Sequence, residues 1–382
     1  MGHLMEVEDI LKKLVSIDSV FGYEKAIGIY LESSLTQLGF KTRLQYFAEG
    51  RFNIFAERGN GNSSMLFYGH MDTVTAHGKW RGGPFDLRKE GDKLYGLGSC
   101  DMKGGIAAML KSFESDSGNK IKVLLCGDEE NISEGAWAAV KDRKWFSDVD
   151  FMISCEPGDS KHHNGGAHVV TVGRRGRVVI EADIYGLSSH GANPQRGINA
   201  IDEAAKIALS TNSFKLRTHR ELGEENIFVR KITGNSESAL DLPDTAHIEF
   251  DIQLVPPSTT KDAMERVNLL VERLHSKGRL NPNTKVVVRI KKRETPYIEP
   301  YIDDLNNPKI KKVLDLIRQN LRAPLLNYGS SVADDNILAN SFGKPIVTIG
   351  PTSGNLHAPE EWTSLKSLRE LAKIYRIIEN EI

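Results

Sequence analysis

At 382 residues the chain is too long for one ordinary hydrophobic core and suits two domains, a size that favours an enzyme over a small adaptor. Lys and Arg (50) nearly balance Asp and Glu (51), and no long basic run supplies the electrostatic footprint that nucleic acid binding requires. Apolar residues make up 40% of the chain but never form a stretch able to cross a bilayer, and no basic-then-apolar leader opens it, so a cytoplasmic protein without a membrane partner is expected.

From Glu6 to about Gly173, helical periodicity alternates with short apolar runs. Ile27, Leu31, Leu35 and Leu38 share a helix face, whereas Met65–Tyr68, Val123–Cys126 and Phe151–Ile153 read as buried strands. This alternation predicts an α/β domain with a mostly parallel sheet. After Gly173 the order changes to a strand over Arg177–Tyr185, a helix over Ala200–Leu209, strands near Ile227–Ile232 and Ala246–Leu254, a helix over Lys261–Leu274 and a strand over Lys285–Ile290. Two helices and four strands in that order predict an inserted ferredoxin-like α+β domain. Beyond Pro296 and Pro300 the helical period returns at Ile310, Val313, Leu314 and Ile317, and Pro345–Ile349 reads as another buried strand. The expected division is 1–173 with 294–382 for the first domain and 174–293 for the insert. Cys100, Cys126 and Cys155 build no disulfide framework and are read as reduced, mostly buried thiols.

Potential metal ligands fall just after the predicted strands. His70 and Asp72 follow the first, Glu129 and Glu130 the second, Glu156 the third and His357 the last, while Asp101 sits in the glycine-rich stretch 96–105. Open α/β sheets bind ligands at the carboxyl ends of their strands, so these dispersed residues are expected to converge. Taken singly, a histidine after a strand is more often a hydrogen-bonded structural group, and Asp101 before a helix reads as an N-cap. Three adjacent carboxylates at 128–130, however, repel one another unless a cation or proton neutralises them. Two histidines and three carboxylates without thiolate suit a pair of zinc, cobalt or manganese ions joined by a bridging carboxylate. The i, i+2 spacing directs His70 and Asp72 to one face, where Asp72 is expected to accept the second ring N–H of His70. Glu129 and Glu130, as neighbours, aim differently, so that one binds metal and the other acts as base toward a metal-activated water whose pKa falls from ~15.7 to near ~7.

The segments Gly69–Val74, Leu94–Gly104, Asp128–Glu130, Cys155–Pro157 and Leu356–Glu360 resemble the dinuclear zinc aminoacylase and carboxypeptidase family, which includes acetylornithine deacetylases, succinyl-diaminopimelate desuccinylases and glutamate carboxypeptidases. The resemblance covers nearly the full length. It implies that Asp101 bridges two divalent ions, zinc with cobalt or manganese as alternatives, with His70 and Glu156 on one and Glu130 and His357 on the other. It further implies Glu129 as general base, Asp72 as partner of His70, and a cis peptide between Asp101 and Met102. The insert is similar to the family's lid and dimerisation domain. That similarity implies a homodimer through the insert, with His190 in the Ser189–Pro194 stretch stabilising an oxyanion in the partner's site.

Where family lids often carry Asp-x-Arg, this chain has Asp251-Ile252-Gln253, and where they carry an asparagine shortly before a Pro-Asp turn it has Leu240-Asp241-Leu242-Pro243-Asp244. Gln253 lacks the bidentate guanidinium fork, so recognition of a substrate carboxylate is expected to pass to Arg174, Arg175 or Arg196, or to Ser353 and Gly354. The resulting expectation is an amidohydrolase for a small N-acyl amino acid, of the acetylornithine deacetylase or succinyl-diaminopimelate desuccinylase type; a di- or carboxypeptidase is the second reading. A non-catalytic metal-stabilised scaffold leaves Glu129 and Asp72 without a purpose, and a phosphotransferase lacks its phosphate-binding loop.

Overall fold

A computed structural model describes residues 6–115, 118–158, 165–236, 238 and 240–382. The chain divides into two compact units, one running to Arg174 and resuming at Ile302, the other formed by Arg175–Tyr301. Each encloses its own apolar core. The second boundary lies past the expected 293 because Ile298 still pairs with Arg177 and Glu299 still accepts the N–H of Thr260 at the start of the helix Thr260–Ser276.

In the first unit the strands lie in the order Lys41–Ala48, Arg51–Arg58, Ile121–Cys126, Ser64–His70, Val149–Ser154, Ile346–Thr348, Val169–Arg174. The four in the middle, from Ile121–Cys126 to Ile346–Thr348, run parallel. Ser64–His70 and Ile121–Cys126 are buried along their whole length, as strands covered by helices on both faces must be. Their registers pair His70 with Cys126, Tyr68 with Ser154, and Thr348 with Ser154, so their carboxyl ends finish on one edge. The apolar runs of the sequence do not announce the antiparallel pair Lys41–Ala48 and Arg51–Arg58 that flanks them.

Local chemistry sets the helices around this sheet. Asn307 caps Pro308–Asn320 by accepting from Lys309 and Ile310, with Pro308 in the first turn where its missing N–H costs nothing. The buried stripe of that helix is Ile310, Val313, Leu316 and Ile317, with Leu316 in the place expected for Leu314. Ser364 caps the helix Leu365–Glu381, which packs on Lys103–Ser112. Lys103–Ser112 in turn needs Gly105: a Cβ there would stand 1.9 Å from the carbonyl oxygen of Cys155. All three cysteines are free and buried. Among the described residues, no helix is long and apolar enough to cross a membrane.

The second unit is a four-stranded antiparallel sheet in the order Asn226–Asn235, Thr245–Leu254, Gly176–Tyr185, Lys285–Ile290, with helices Ala200–Leu209 and Thr260–Ser276. Counting only these four strands along the chain, the order is 2-3-1-4, the ferredoxin-like arrangement expected from the element sequence. Val178, Ile180, Ala182 and Ile184 alternate inward to meet Ala200, Ala204 and Ile207 of the first helix.

Candidate metal centre and its surroundings

The parallel strands deliver His70, the 128–130 turn and Glu156 to one edge, and the loop before Lys103–Ser112 brings Asp101 to meet them. Asp101 faces a histidine with each oxygen: Oδ1 lies 2.9 Å from His70 Nε2 and Oδ2 lies 3.3 Å from His357 Nε2. Glu156 stands on the His70 side at 3.4 Å, and Glu130 on the His357 side at 3.1 Å. Ligand atoms of His70, Asp101 and Glu130 fall within 4.8 Å of one another, as do those of His70, Glu129 and Glu156. The peptide between Asp101 and Met102 is cis.

The electrostatics of this cluster call for a cation. His70 Nδ1 lies 3.0 Å from the main-chain carbonyl of Asp72, an acceptor only, so Nδ1 carries the proton. A neutral ring then turns its Nε2 lone pair toward two carboxylates, an arrangement that only a proton or a metal ion can hold together. Burial pushes the carboxyls of Glu129, Glu130 and Glu156 above their ordinary range, with Asp101 next in effect for Glu130 and Glu156. Asp101 is pushed up by burial too, but hydrogen bonds from His357 and His70 hold it below the usual carboxylate range. Hydrogen bonds to Asp101 and Glu130 raise His357 to about 10. Glu130 Oε1 and Glu156 Oε1 are buried without a hydrogen-bond partner among the described residues. Two imidazoles, clustered carboxylates and orphaned oxygens fit divalent ions of the hard or borderline class.

Asp72 is buried beside His70, its carboxylate facing the second ring nitrogen as expected, and it has a further role in the geometry. Its carboxylate is 3.5 Å from His70 Nδ1, farther than its own carbonyl at 3.0 Å, and also accepts the main-chain N–H groups of Glu129 (3.2 Å) and Glu130 (2.9 Å). One residue thus orients the imidazole through its backbone and the acidic turn through its side chain. Asp128, read as one of three repelling carboxylates, is engaged elsewhere. It adopts φ +73° and accepts from Ile132, Glu134, Asn131 and Arg51, the last at 2.7 Å. Arg51 also grips Glu24. Sequence reasoning missed Arg51 and Glu24 because nothing local marks residues that meet across such separations. It also missed Asp334, which accepts from Tyr68 Oη at 2.6 Å and is raised by burial to about 7.

The expected substrate contacts scatter. Arg174 is 3% exposed and donates from Nε to Asp335, which also accepts from Thr348. Its guanidinium therefore serves the interior of the first unit, a correction to its expected place at a substrate carboxylate. Ser353 is buried, with Cys100 Sγ 3.0 Å from its hydroxyl, and Gly354 lies against the Trp362 ring, which leaves no room for a Cβ. In the second unit, Arg175 donates to the carbonyl of Leu222, Arg196 is exposed, and Asp251 is held by both arms of Arg177. Gln253 keeps a buried Oε1 without a hydrogen-bond partner among the described residues. His190 is exposed, and its Nδ1 accepts the N–H of Ala192, so the neutral ring carries its proton on Nε2.

Residues 66–379 match the model of Peptidase family M20/M25/M40. A succinyl-diaminopimelate desuccinylase from Rickettsia bellii (strain RML369-C) is 25% identical over 380 residues, covering 96% of this chain and 94% of its own. In fold, the chain is similar to a tripeptidase from Staphylococcus aureus (TM-score 0.78, 21% identity, 99% and 98% of the two chains). It is similar also to an aminopeptidase from Bacillus cereus (TM-score 0.80, 18% identity, 99% and 98%). The family model spans most of the chain, from the first buried parallel strand to the last helix, and with the ligand-bearing edge this establishes an amide-bond hydrolase that belongs to Peptidase family M20/M25/M40.

Proposed function

We propose that the protein removes the acyl group from a small N-acyl amino acid, with two divalent ions, zinc by preference and cobalt or manganese as substitutes. Asp101 would lie between the ions, with His70 and Glu156 on one and Glu130 and His357 on the other. The observation that carries this reading is the pairing of each Asp101 oxygen with a different histidine, each histidine backed by its own glutamate. When bound, such ions polarise the acyl carbonyl and acidify a water.

Glu129 takes the proton of that water and passes it to the leaving amine. Burial raises its carboxyl above the ordinary range, which strengthens it as a proton acceptor. Asp72 holds the turn from which Glu129 projects. His190, protonated on Nε2, is suited to donate to the developing oxyanion, and we assign it that role across a homodimer. Support for a dimer comes from the edge strand Asn226–Asn235, where Phe228 and Ile232 are 51% and 45% exposed. The exposed guanidinium of Arg196 is assigned to the substrate carboxylate, with the main chain at Ser353–Gly354 as the alternative. Three unpaired thiols suit a reducing cytoplasm.

A desuccinylase or deacetylase specificity follows the desuccinylase relative; the second reading, a peptidase of the same chemistry, follows the tripeptidase and aminopeptidase of like fold. A panel of N-succinyl and N-acetyl amino acids and of dipeptides, each with zinc, cobalt and manganese, separates the two. Turnover of N-acyl amino acids, lost roughly 10²–10⁴-fold in Glu129→Gln with metal still bound, is the expected result. Wild-type turnover by Glu129→Gln would overturn the assignment of the base.

A further inference from the structure

Four residues beyond His357, Glu361 is buried and accepts three main-chain hydrogen bonds from one short loop. Gly98 donates to Oε2 at 2.9 Å, and Cys100 and Asp101 donate to Oε1 at 2.7 and 3.0 Å. Its own carbonyl accepts the N–H of Gly96 at 3.0 Å. The next residue, Trp362, continues the connection as a strand pairing with Tyr95. One glutamate therefore gathers four N–H groups from the stretch 96–101. Gly98 stands at φ +77° with the Lys103 side chain close against it, so the loop has few other paths through this space.

We infer that Glu361 is a positioning residue that fixes the distance between Asp101 and His357, and so the spacing of the metal pair. This rests on the metal-hydrolase reading above. The reasoning is geometric. Asp101 takes its place from a loop whose N–H groups converge on the Glu361 carboxylate, and His357 from the segment that carries Glu361. The same carboxylate thus ties together two segments separated by some 260 positions in the chain. Because both oxygens are in use, an amide cannot replace the carboxylate: in Glu361→Gln the side chain offers one acceptor and turns an NH2 toward a main-chain N–H. The shorter side chain of Glu361→Asp keeps both acceptors but withdraws them by one methylene.

The test uses the full-length protein, stripped of metal and titrated with Co²⁺ while the visible absorption of the bound ion is followed. Glu361→Gln is expected to weaken cobalt binding roughly 10- to 100-fold, the usual effect of removing a group that orients a ligand, and to change the absorption spectrum. Glu361→Asp, which retains the charge, is expected to fall between Glu361→Gln and the wild type, and it carries the test if the amide variant does not fold. Hydrogen exchange at the amides of 98, 100 and 101 should quicken in both. Wild-type affinity and spectrum in Glu361→Asp together with unchanged exchange would overturn the inference. Failure of the wild-type protein itself to bind cobalt would instead sink the two-ion reading on which it rests.

Discussion

Asp72→Asn probes the acidic turn directly. In the wild type the carboxylate accepts N–H groups from Glu129 and Glu130, one on each oxygen, at 3.2 and 2.9 Å. Asparagine fills the same volume and keeps one acceptor, but it turns an NH2 toward the second amide. A hydrogen bond to a charged group is worth ~1.5–3 kcal/mol, and the site is buried, so the loss is not made good by water. If the turn's displacement is felt in the transition state, kcat should fall roughly 10- to 150-fold, each ~1.4 kcal/mol being a factor of ten. His70 should be little disturbed, because its Nδ1 faces the Asp72 carbonyl, which the substitution keeps. Steady-state kinetics on the best substrate of the panel, with Co²⁺ titration alongside, read both quantities. The expected signature is a reduced kcat with affinity lowered at the Glu130 side only. Wild-type kcat and wild-type affinity together would refute the positioning role of this side chain.

Removal of divalent ions by a chelator should abolish hydrolysis and lower the melting temperature, both restored by added zinc; ions held at ~1,000 times their Kd contribute about 4 kcal/mol. Absence of any shift would mean that the carboxylate cluster holds no ion. Asp303 is pushed by burial to about 7, whereas an open chain titrates near ~3.9, so the folded form keeps its proton where the unfolded form loses it. That carboxyl costs nothing below about pH 4, and its penalty grows as pH rises toward 7, up to ~4 kcal/mol. Asp303→Asn keeps the acceptor for the Ile346 N–H; it should raise the melting temperature near pH ~8 and leave it unchanged near pH ~4, as checked by calorimetry at both. Phe228→Arg with Ile232→Arg should yield a monomer by light scattering, and a dimer that survives both changes would place the interface elsewhere.

Much of the fold was legible because burial imposes simple periods. The helix Ala200–Leu209 and the strand Lys285–Ile290 match their expected bounds, since apolar spacing and the flanking polar residues agree there. The strand Lys41–Ala48 was not read: it lies half exposed at the sheet's edge, so its residues lack the continuous apolar run that marks its neighbours. At the site, His70, Glu130, Glu156 and His357 were legible as residue types following strands and Asp101 as an acid in a glycine-rich stretch, and the structure brings them together. Their supports were not. Arg51 reaches Asp128 across 77 positions, and Glu361 reaches Asp101 across 260, pairings that neither period nor motif announces. Arg174 misled because arginine beside a glycine-rich junction looks available, whereas its partner Asp335 lies far along the chain.

The junctions of the two units carry an evolutionary consequence. In the insert, the N–H of Arg177 meets the carbonyl of Ile298, so the first and last segments are already closed upon each other; in the other unit, the N–H of Asp303 meets the carbonyl of Val172 in the same way. A module whose ends are hydrogen-bonded within itself can be lengthened, recoloured with new side chains or exchanged for a cousin without fraying its host. Natural variation in such a chain can therefore remodel the insert while the unit that gathers the metal-ligand candidates stays as it was.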